Sequence, residues 1–562
     1  MIRHTLTDLV RQAILAAQTD NALPAFEIPS VEVARPPRPE MGDYASSLPL
    51  KLASLAKRPP LQIAQTLAKY VPPHDAVAKV ETAAPGFVNF YLSPMWVANQ
   101  VARILDAGEN FGKVNLGNER RVQVEFVSAN PTGPLHIGGA RNAAIGDTLA
   151  RILQAANYRV EREYYLNDAG SQIRHFGASI YARYAQAAGM DAAFPEDGYK
   201  GEYVTELAQE ILRTEGKKYL DLPQDQATRA LGRIGIDRVI EQVRATLARM
   251  RVEFDVWFSE KSLYDSGLFD SLLPKLAAQG FTYEKDGALW FKTTEFGLDK
   301  DAVLIRSAQA VPNPEERPTY LASDVAYVWN KLVVRNFDRA IYVWGAGHHG
   351  AVPRVYAAAK ALGIDTNRLT IMLYQNVQIT RGGEKVTMSK RGGTFVTTDE
   401  VVDEVGADAV RYLLIESSAD AAMDFDLQLA VQQSNENPVY YVQYAHARIA
   451  SILRNALEAG VGSDGANLAL LTHPAELELI KQMLKLEEVI ELAANKLEPH
   501  HLPHYAQELA AAFHQFYKQC RVLSSEPNDL EISRARLQLV TATKNVLARA
   551  LDLIGVSAPD AM

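Results

Sequence analysis

The sequence predicts an α/β fold: a doubly wound, Rossmann-like parallel-sheet domain between an α+β N-terminal domain and an all-α C-terminal bundle. Three observations carry this. Between residues 120 and about 380, short apolar runs alternate with helical patterns, as a parallel sheet with crossover helices requires. The run 121–127 (RVQVEFV) passes through a Gly/Pro turn, 128–139 (SANPTGPLHIGG), into a helix beginning near Ala140. After about Leu427 the pattern is helical to the end, and Tyr505, Leu509, Phe513, Phe516 and Cys520 recur at three- and four-residue spacing on one buried face.

The elements follow in order. Residues 7–19, 46–56 and 61–70 read as helices and 80–92 as strand, turn and strand around Pro85 and Gly86, so 1–93 form the α+β N-terminal domain. Residues 94–119, with Gly and Asn concentrated at 108–117, read as a linker. Within the domain 120–380, strands are expected at 121–127, 158–166, 302–307, 332–334, 340–344 and 370–373, and 172–251 is a helical insertion. Residues 381–433 carry a Gly-rich loop, and 434–562 form the closing bundle.

Composition bounds what such a chain can be. At 562 residues it holds roughly three to four domains, and 48% hydrophobic with 22% charged residues is ordinary for a globular protein. No run approaches the ~20 apolar residues that span a bilayer, and the first residues lack an apolar signal core, which leads to the expectation of a cytoplasmic protein without a membrane partner. Cys520 is the single cysteine, which excludes an intrachain disulfide and a cysteine-based zinc site. A net charge of −9 opposes global attraction to nucleic acid and leaves local basic patches open.

The chemistry concentrates in two places. A helix start after a strand aims unpaired N–H groups and a positive dipole end at whatever sits above the strand, and a phosphate is the natural visitor. His136 stands at that helix mouth to donate to a phosphate oxygen, while Gly138 and Gly139 leave room for close approach. More than 200 residues later, 382–394 (GGEKVTMSKRGGT) form a Gly-rich loop whose Lys390 and Arg391 can close positive charge over a held phosphate. Either fragment by itself is more often a structural turn or a solvated charge. Their order, separation and placement argue for them jointly.

The stretch 129–139 (Ala129, Asn130, Pro131, Thr132, Gly133, Pro134, Leu135, His136, Ile137, Gly138, Gly139) resembles the HIGH signature of class I aminoacyl-tRNA synthetases, with Gly139 in place of the second His. Met388, Ser389 and Lys390 resemble the core of that class's KMSKS loop, with Thr387 for its first lysine and Arg391 for its final serine. The strings 128–136, 167–172 (NDAGSQ), 254–260 (FDVWFSE), 287–290 (GALW), 319–327 (TYLASDVAY) and 437–448 (NPVYYVQYAHAR) look like bacterial arginyl-tRNA synthetases, in that family's order. The resemblance covers essentially the whole chain. Further departures are Gly347, where an Asp is frequent, and Val328, where a His often follows Ala-Tyr.

This resemblance implies a ligase that joins L-arginine to tRNA(Arg) through arginyl-adenylate. It places Ser128, Asn130, Glu260, Tyr320 and Asp324 around arginine, with Glu125 orienting the first two. A guanidinium is planar and permanently charged, so a selective pocket needs carboxylates in its plane. Tyr320 and Asp324, at i and i+4, would face one ligand if a helix begins there. ATP, as its Mg²⁺ complex, would meet His136, Gly138, Gly139, His348, Met388, Ser389 and Lys390, with His136 and Lys390 as the catalytic groups. No zinc is expected, because adjacent His348 and His349 point apart on a regular element. Tyr440, Tyr441, Tyr444 and Arg448 on one helix, and His514, Lys518 and Arg521 on another, are the candidate tRNA contacts.

Bland readings stand beside these. Glu260 could cap a segment, Asp324 could be a surface acid, and an aromatic stripe at helical spacing is more often core than contact. A monomer is expected, and the N-terminal domain would touch tRNA. The alternatives are a small-molecule nucleotidyltransferase, disfavoured by the long helical C-terminus, and a non-catalytic RNA-binding paralogue, suggested by Gly139 and Thr387.

Overall fold

The computed structural model describes residues 1–386, 396–524 and 526–562. An N-terminal helix, Ile2–Thr19, and two shorter ones, Leu48–Ala56 and Pro60–Tyr70, accompany an antiparallel sheet in which Phe87–Leu92 lies between Tyr44–Ser46 and Val77–Ala83. Part of the expected linker is ordered as a helix, Pro94–Ala107, with the Ser93 side chain accepting from the Trp96 N–H as its cap.

The central sheet contains five parallel strands, numbered here in chain order with the helices that matter to the site. Strand β1 is Arg121–Glu125, followed by helix α1, Ile137–Ala155; β2 is Arg159–Leu166 and β3 is Val256–Ser259. Helix α2, Tyr320–Trp329, precedes β4, Arg339–Gly345, and β5, Leu369–Tyr374. The order across the sheet is β5-β4-β1-β2-β3. The chain leaves β1 towards β2 and β3 and later returns to β4 on the other side. That reversal opens a crevice at the carboxyl ends of β1 and β4, where an open α/β sheet binds its ligands.

Two expected strands do not join this sheet. Residues Ala302–Ile305 pair antiparallel with Ala288–Phe291 in a separate three-stranded sheet. Residues Asn330–Val334 form a π-helical turn that continues α2. An apolar triplet carries no period of its own, and only Leu332 is buried there while Val333 and Val334 face outward. The insertion consists of three helices, Ser171–Ala187, Glu202–Glu215 and Gln224–Arg249.

Helix α1 is enclosed on every side: all but Gly138, Arg151 and Gln154 are buried. Gly146 lets it lie against β1, since a Cβ there would come within 2.2 Å of the Phe126 ring. Most of its buried polar groups find partners in other parts of the chain, although Arg141 Nε and Asn142 Oδ1 have none among the described residues. Arg141 donates to the carbonyls of Gln375 (2.8 Å), Ser418 (2.9 Å) and Ala421 (2.9 Å), and Asn142 to that of Val343 (3.0 Å).

Beyond the central sheet come α3, Ala407–Leu414, then α4, Pro438–Glu458, α5, His501–Gln519, and α6, Leu530–Ile554. The α5 face expected from periodicity is buried, including Tyr505, Leu509, Phe513 and Phe516. Arg411 of α3 has no exposed side-chain surface and donates to Asp147 of α1 (2.6 Å), the Ile554 carbonyl of α6 (2.9 Å) and the Met250 carbonyl after the insertion (2.8 Å). Removing one member of a buried, hydrogen-bonded pair costs about 3–5 kcal/mol, because the groups left behind stay desolvated. Arg411→Met is therefore expected to lower the urea midpoint by that equivalent; an unchanged midpoint would show that the junction does not hold the domains together.

Candidate active site

The carboxyl end of β1 is bent sharply. Val127 (φ +66°) and Ser128 (φ +42°) are both left-handed, and the Ser128 N–H donates to the Phe126 carbonyl (3.0 Å) across a three-residue turn. For a β-branched residue this is a strained conformation of the kind held at ligand clamps. The bend places the Ser128 hydroxyl 3.0 Å from Glu125 Oε1, to which it donates, and Ser128 Oγ accepts from the Tyr165 N–H (3.1 Å). Glu125 thus orients Ser128 directly. Asn130, in contrast, is exposed, and its Oδ1 accepts from Asn167 (3.0 Å).

Glu125 has a partner that sequence reasoning missed. Lys331, fully buried on the π-helical turn, donates to Glu125 Oε2 (2.6 Å) with its ammonium over the rings of Tyr327 (3.9 Å) and Tyr342 (3.5 Å). It stands seven residues after Asp324, on the π-helical turn that continues α2. A lysine inside an apolar helical run was the available signal. Tyr327 also donates to Glu163 (2.5 Å), which pairs with Arg335 (2.6 Å), so a layer of satisfied charge lies beneath the crevice.

Above that layer, the tertiary structure brings two carboxyls together. Glu260, only 4% exposed, follows β3; Asp324 lies one turn into α2. The Ser323 hydroxyl donates to Glu260 Oε1 and shares a 2.6 Å hydrogen bond with Tyr264, whereas Glu260 Oε2 has no hydrogen-bond partner among the described residues. Burial pushes the Glu260 carboxyl up to about 7, against the Ser323 hydrogen bond, with Asp168 adding repulsion and the Tyr165 hydroxyl opposing it weakly. Burial likewise pushes Asp324 up to about 7, with Glu125 and Glu260 adding to it and Lys331 and Arg354 opposing. Two desolvated acids with an unsatisfied oxygen form a receptor for a planar cation. Tyr320 stands at the rim, 59% exposed, accepting from Gln172 (2.5 Å). Asp168, also missed, ties β2 to β3 through Ser259 (2.6 Å) and the Lys261 N–H (3.0 Å).

The phosphate cradle lies at the start of α1. His136 is the N-cap, its Nδ1 accepting from the Gly138 N–H (3.1 Å), so the neutral ring carries its proton on Nε2. A Cβ at Gly138 would press the imidazole at 2.9 Å. One at Gly139 would come within 2.4 Å of Leu135 Cδ1, in the buried side chain beneath the turn. On the far side of the crevice, His348 ends a short turn after β4, its ring 5.8 Å from Trp344, while His349 Nδ1 lies 3.1 Å from the Ala346 carbonyl. Thr387, Met388, Ser389, Lys390 and Arg391 lie outside the described residues. The segment just after them returns to the cradle: Thr397 bridges His136 and the Thr398 N–H donates to the Leu135 carbonyl (2.8 Å).

On the closing bundle, Tyr440 and Tyr444 of α4 stack at 5.9 Å, and the Arg448 guanidinium lies over both Tyr444 (5.3 Å) and Tyr517 (4.9 Å). His514 packs on Tyr441 at 5.0 Å. The basic stripe expected on α5 is interrupted. The helix ends at Gln519 with Cys520 extended, so Arg521 leaves the helical line and donates to the Leu523 carbonyl (2.9 Å); Lys518 stays exposed.

Residues 4–92 match the family described as arginyl tRNA synthetase N-terminal domain, 100–452 the tRNA synthetases class I (R) catalytic domain, and 442–562 the DALR anticodon binding domain. The chain is 47% identical over 561 residues to the arginine–tRNA ligase of Dehalococcoides mccartyi, covering 100% of this chain and 99% of that one. It is 46% identical to the ligase of Caldanaerobacter subterraneus over 564 residues, again covering 100% and 99%. The crystal structure titled Thermus thermophilus arginyl-tRNA synthetase is similar at a TM-score of 0.77 and 25% identity, covering all of both chains.

The carboxyl pair sets a pH dependence. A guanidinium seated between them would bind the ionised forms of Glu260 and Asp324, whose carboxyls burial pushes up to about 7. Binding near neutrality therefore releases protons, and affinity falls as pH drops below about 7. Calorimetry in two buffers of different ionisation enthalpy should give different apparent binding heats for arginine at pH 7; equal heats would remove the pair from the pocket. In the free chain both values are raised above their ordinary 4.5 and 3.8, so this pair's contribution to stability is greatest below about pH 4 and is lost as pH rises to about 7.

Proposed function

The chain belongs to the arginyl-tRNA synthetases, class I enzymes that ligate arginine to tRNA, and from that membership we propose how its own residues divide the reaction. The observation that carries the reading is the Glu260–Asp324 pair, a buried acid with an unpartnered oxygen beside a half-buried one, which suits guanidinium and disfavours the rounder ammonium of lysine. Ser128 and Asn130 take the α-amino group and backbone of arginine, and Tyr320 closes the rim with Gln172.

ATP enters as its magnesium complex. The arginine carboxylate attacks the α-phosphorus, pyrophosphate leaves, and the 2′-hydroxyl of the tRNA's terminal adenosine then attacks the activated carbonyl. No protein nucleophile takes part. His136 and the first N–H groups of α1 hold the phosphates, His348 lines the nucleotide side, and Met388, Ser389 and Lys390 cover the leaving pyrophosphate. The helical bundle takes the anticodon, with Tyr440, Tyr444, Arg448, Lys518 and Arg521 as the contacts, and the N-terminal domain touches the tRNA elsewhere. The chain works as a monomer in the cytoplasm, without zinc in this reaction, and activates arginine only when tRNA is bound.

Lys331 acts through Glu125. Near Asp324 and Glu260 a third uncompensated carboxylate would drive the pair towards its neutral form; Lys331 cancels it. Lys331→Met is expected to raise the KM for arginine at pH 7 about tenfold, the equivalent of one pKa unit, and adding Glu125→Gln should recover part of that loss. A double variant no better than the single would mean that packing alone explains the effect.

His136→Ala should slow arginyl-adenylate formation 10²-fold or more in single turnover, from the lost contact to the phosphates. A near-normal rate would remove His136 from the chemistry. Charging purified tRNA with each of the twenty amino acids should yield arginyl-tRNA alone, whereas the paralogue reading expects no charging. Arginine-dependent ATP–pyrophosphate exchange should vanish without tRNA, and undiminished exchange would overturn the tRNA requirement.

A further inference from the structure

Outside the crevice, one turn of the bundle gathers ligand-type side chains that the reaction does not use. The helix Pro474–Lys496 ends with Leu497 left-handed (φ +58°), and the chain turns through Glu498 and Pro499 into α5. In that turn one potential ligand atom each from Glu498, His500 and His501 lies within 4.8 Å of the others. Glu498 Oε2 is 2.8 Å from His501 Nε2, and the His500 and His501 rings are 4.4 Å apart. His504, one helical turn beyond His500, has its ring 5.9 Å away.

His500 distinguishes the cluster from an ordinary surface ion pair. Its Nδ1 is buried without a hydrogen-bond partner among the described residues. A buried imidazole nitrogen left unsatisfied is costly unless something coordinates it. Neither Cys520 nor the His348–His349 pair takes part.

We propose that Glu498, His500 and His501, with His504 available as a fourth ligand, form a binding site for a borderline divalent transition-metal ion of the zinc, cobalt or nickel type. Two imidazoles and a carboxylate are the donor set such ions select over calcium or magnesium, which prefer oxygen ligands alone. Donors around a tetrahedral zinc at 2.0–2.1 Å lie roughly 3.4 Å apart, inside the 4.8 Å that spans the three ligand atoms here. The positive end of α5 opposes a cation, and the Glu498 carboxylate offsets it. A bound ion would pin the turn at Glu498 and His500 to the first turn of α5. It would also sit within the field of Asp420, whose neighbours Ser418 and Ala421 hold Arg141 of α1 through their carbonyls.

The test is metal titration of the full-length chain without a histidine tag. Wild type should bind one Zn²⁺ per chain by calorimetry, show the visible bands of tetrahedral Co²⁺, and melt at a higher temperature with Zn²⁺ present. His500→Ala/His501→Ala should weaken zinc binding at least tenfold and abolish the cobalt bands, while a His348→Ala/His349→Ala control should retain both. Glu498→Gln, which removes the charge while keeping the shape, should weaken binding as well if the double variant fails to fold. Absence of a one-to-one site in wild type, or equal affinity in the folded turn variants, would overturn the proposal.

Discussion

The site depends on one helix that is buried along its length yet open at its N-terminus. Helix α1 can serve as a phosphate cradle only because its start is uncovered, and it stays in place only because its sides are covered. Burying its Arg141, Asn142 and Asp147 would be prohibitive without partners, and those partners come from distant stretches of the chain: 375, 418–421, 343 and 411. The same junction reaches the insertion through the Met250 carbonyl and the last helix through that of Ile554. Domain assembly and cradle geometry are thus one problem. The closing bundle is joined to the middle of α1 through the buried Arg411, which bonds both Asp147 and the Ile554 carbonyl.

Charge balance governs the other half of the site. Glu125, Glu260 and Asp324 converge on a small volume, and Asp168 adds a fourth acid behind them. The ammonium of Lys331 neutralises the deepest of these and uses two aromatic faces to offset its own desolvation. What remains is a pair of acids held near their neutral form, ready to ionise when a permanent cation arrives. The π-helical turn matters here because the Lys331 side chain ends at Glu125 rather than in solvent.

Gly139 takes on a packing meaning. The turn from Leu135 to Gly139 folds so closely that a side chain at Gly139 would require Leu135 to move, and Leu135 also anchors the segment returning from 387–395 through its carbonyl. A second imidazole is therefore incompatible with this turn as it stands.

Much of this was legible in the sequence because it depends on local order. The strand–turn–helix at 121–155, the buried face of α5 and the helical insertion are periodic or motif-bearing, and their local pattern agrees with their final environment. Family-restricted strings pointed to the candidate pocket residues, with the i, i+4 spacing of Tyr320 and Asp324 as a weak local support and nothing in spacing to mark Glu260. Short apolar runs misled, since 302–307 and 332–334 are too brief for their period to choose between sheet, helix and turn. Lys331 and Asp168 were legible at most as a lysine in an apolar run and an acid in a motif, because their meaning comes from burial and from partners about 90 to 200 residues away. The histidines of the 498–504 turn are local partners of one another, but only the turn's geometry shows that they meet. The sequence by itself determined the fold class, the cradle motif and the family. Tertiary structure alone decided which carboxylates meet, which of them is neutralised, and how tightly the cradle helix is gripped, because desolvation exists only once the chain has closed around those groups.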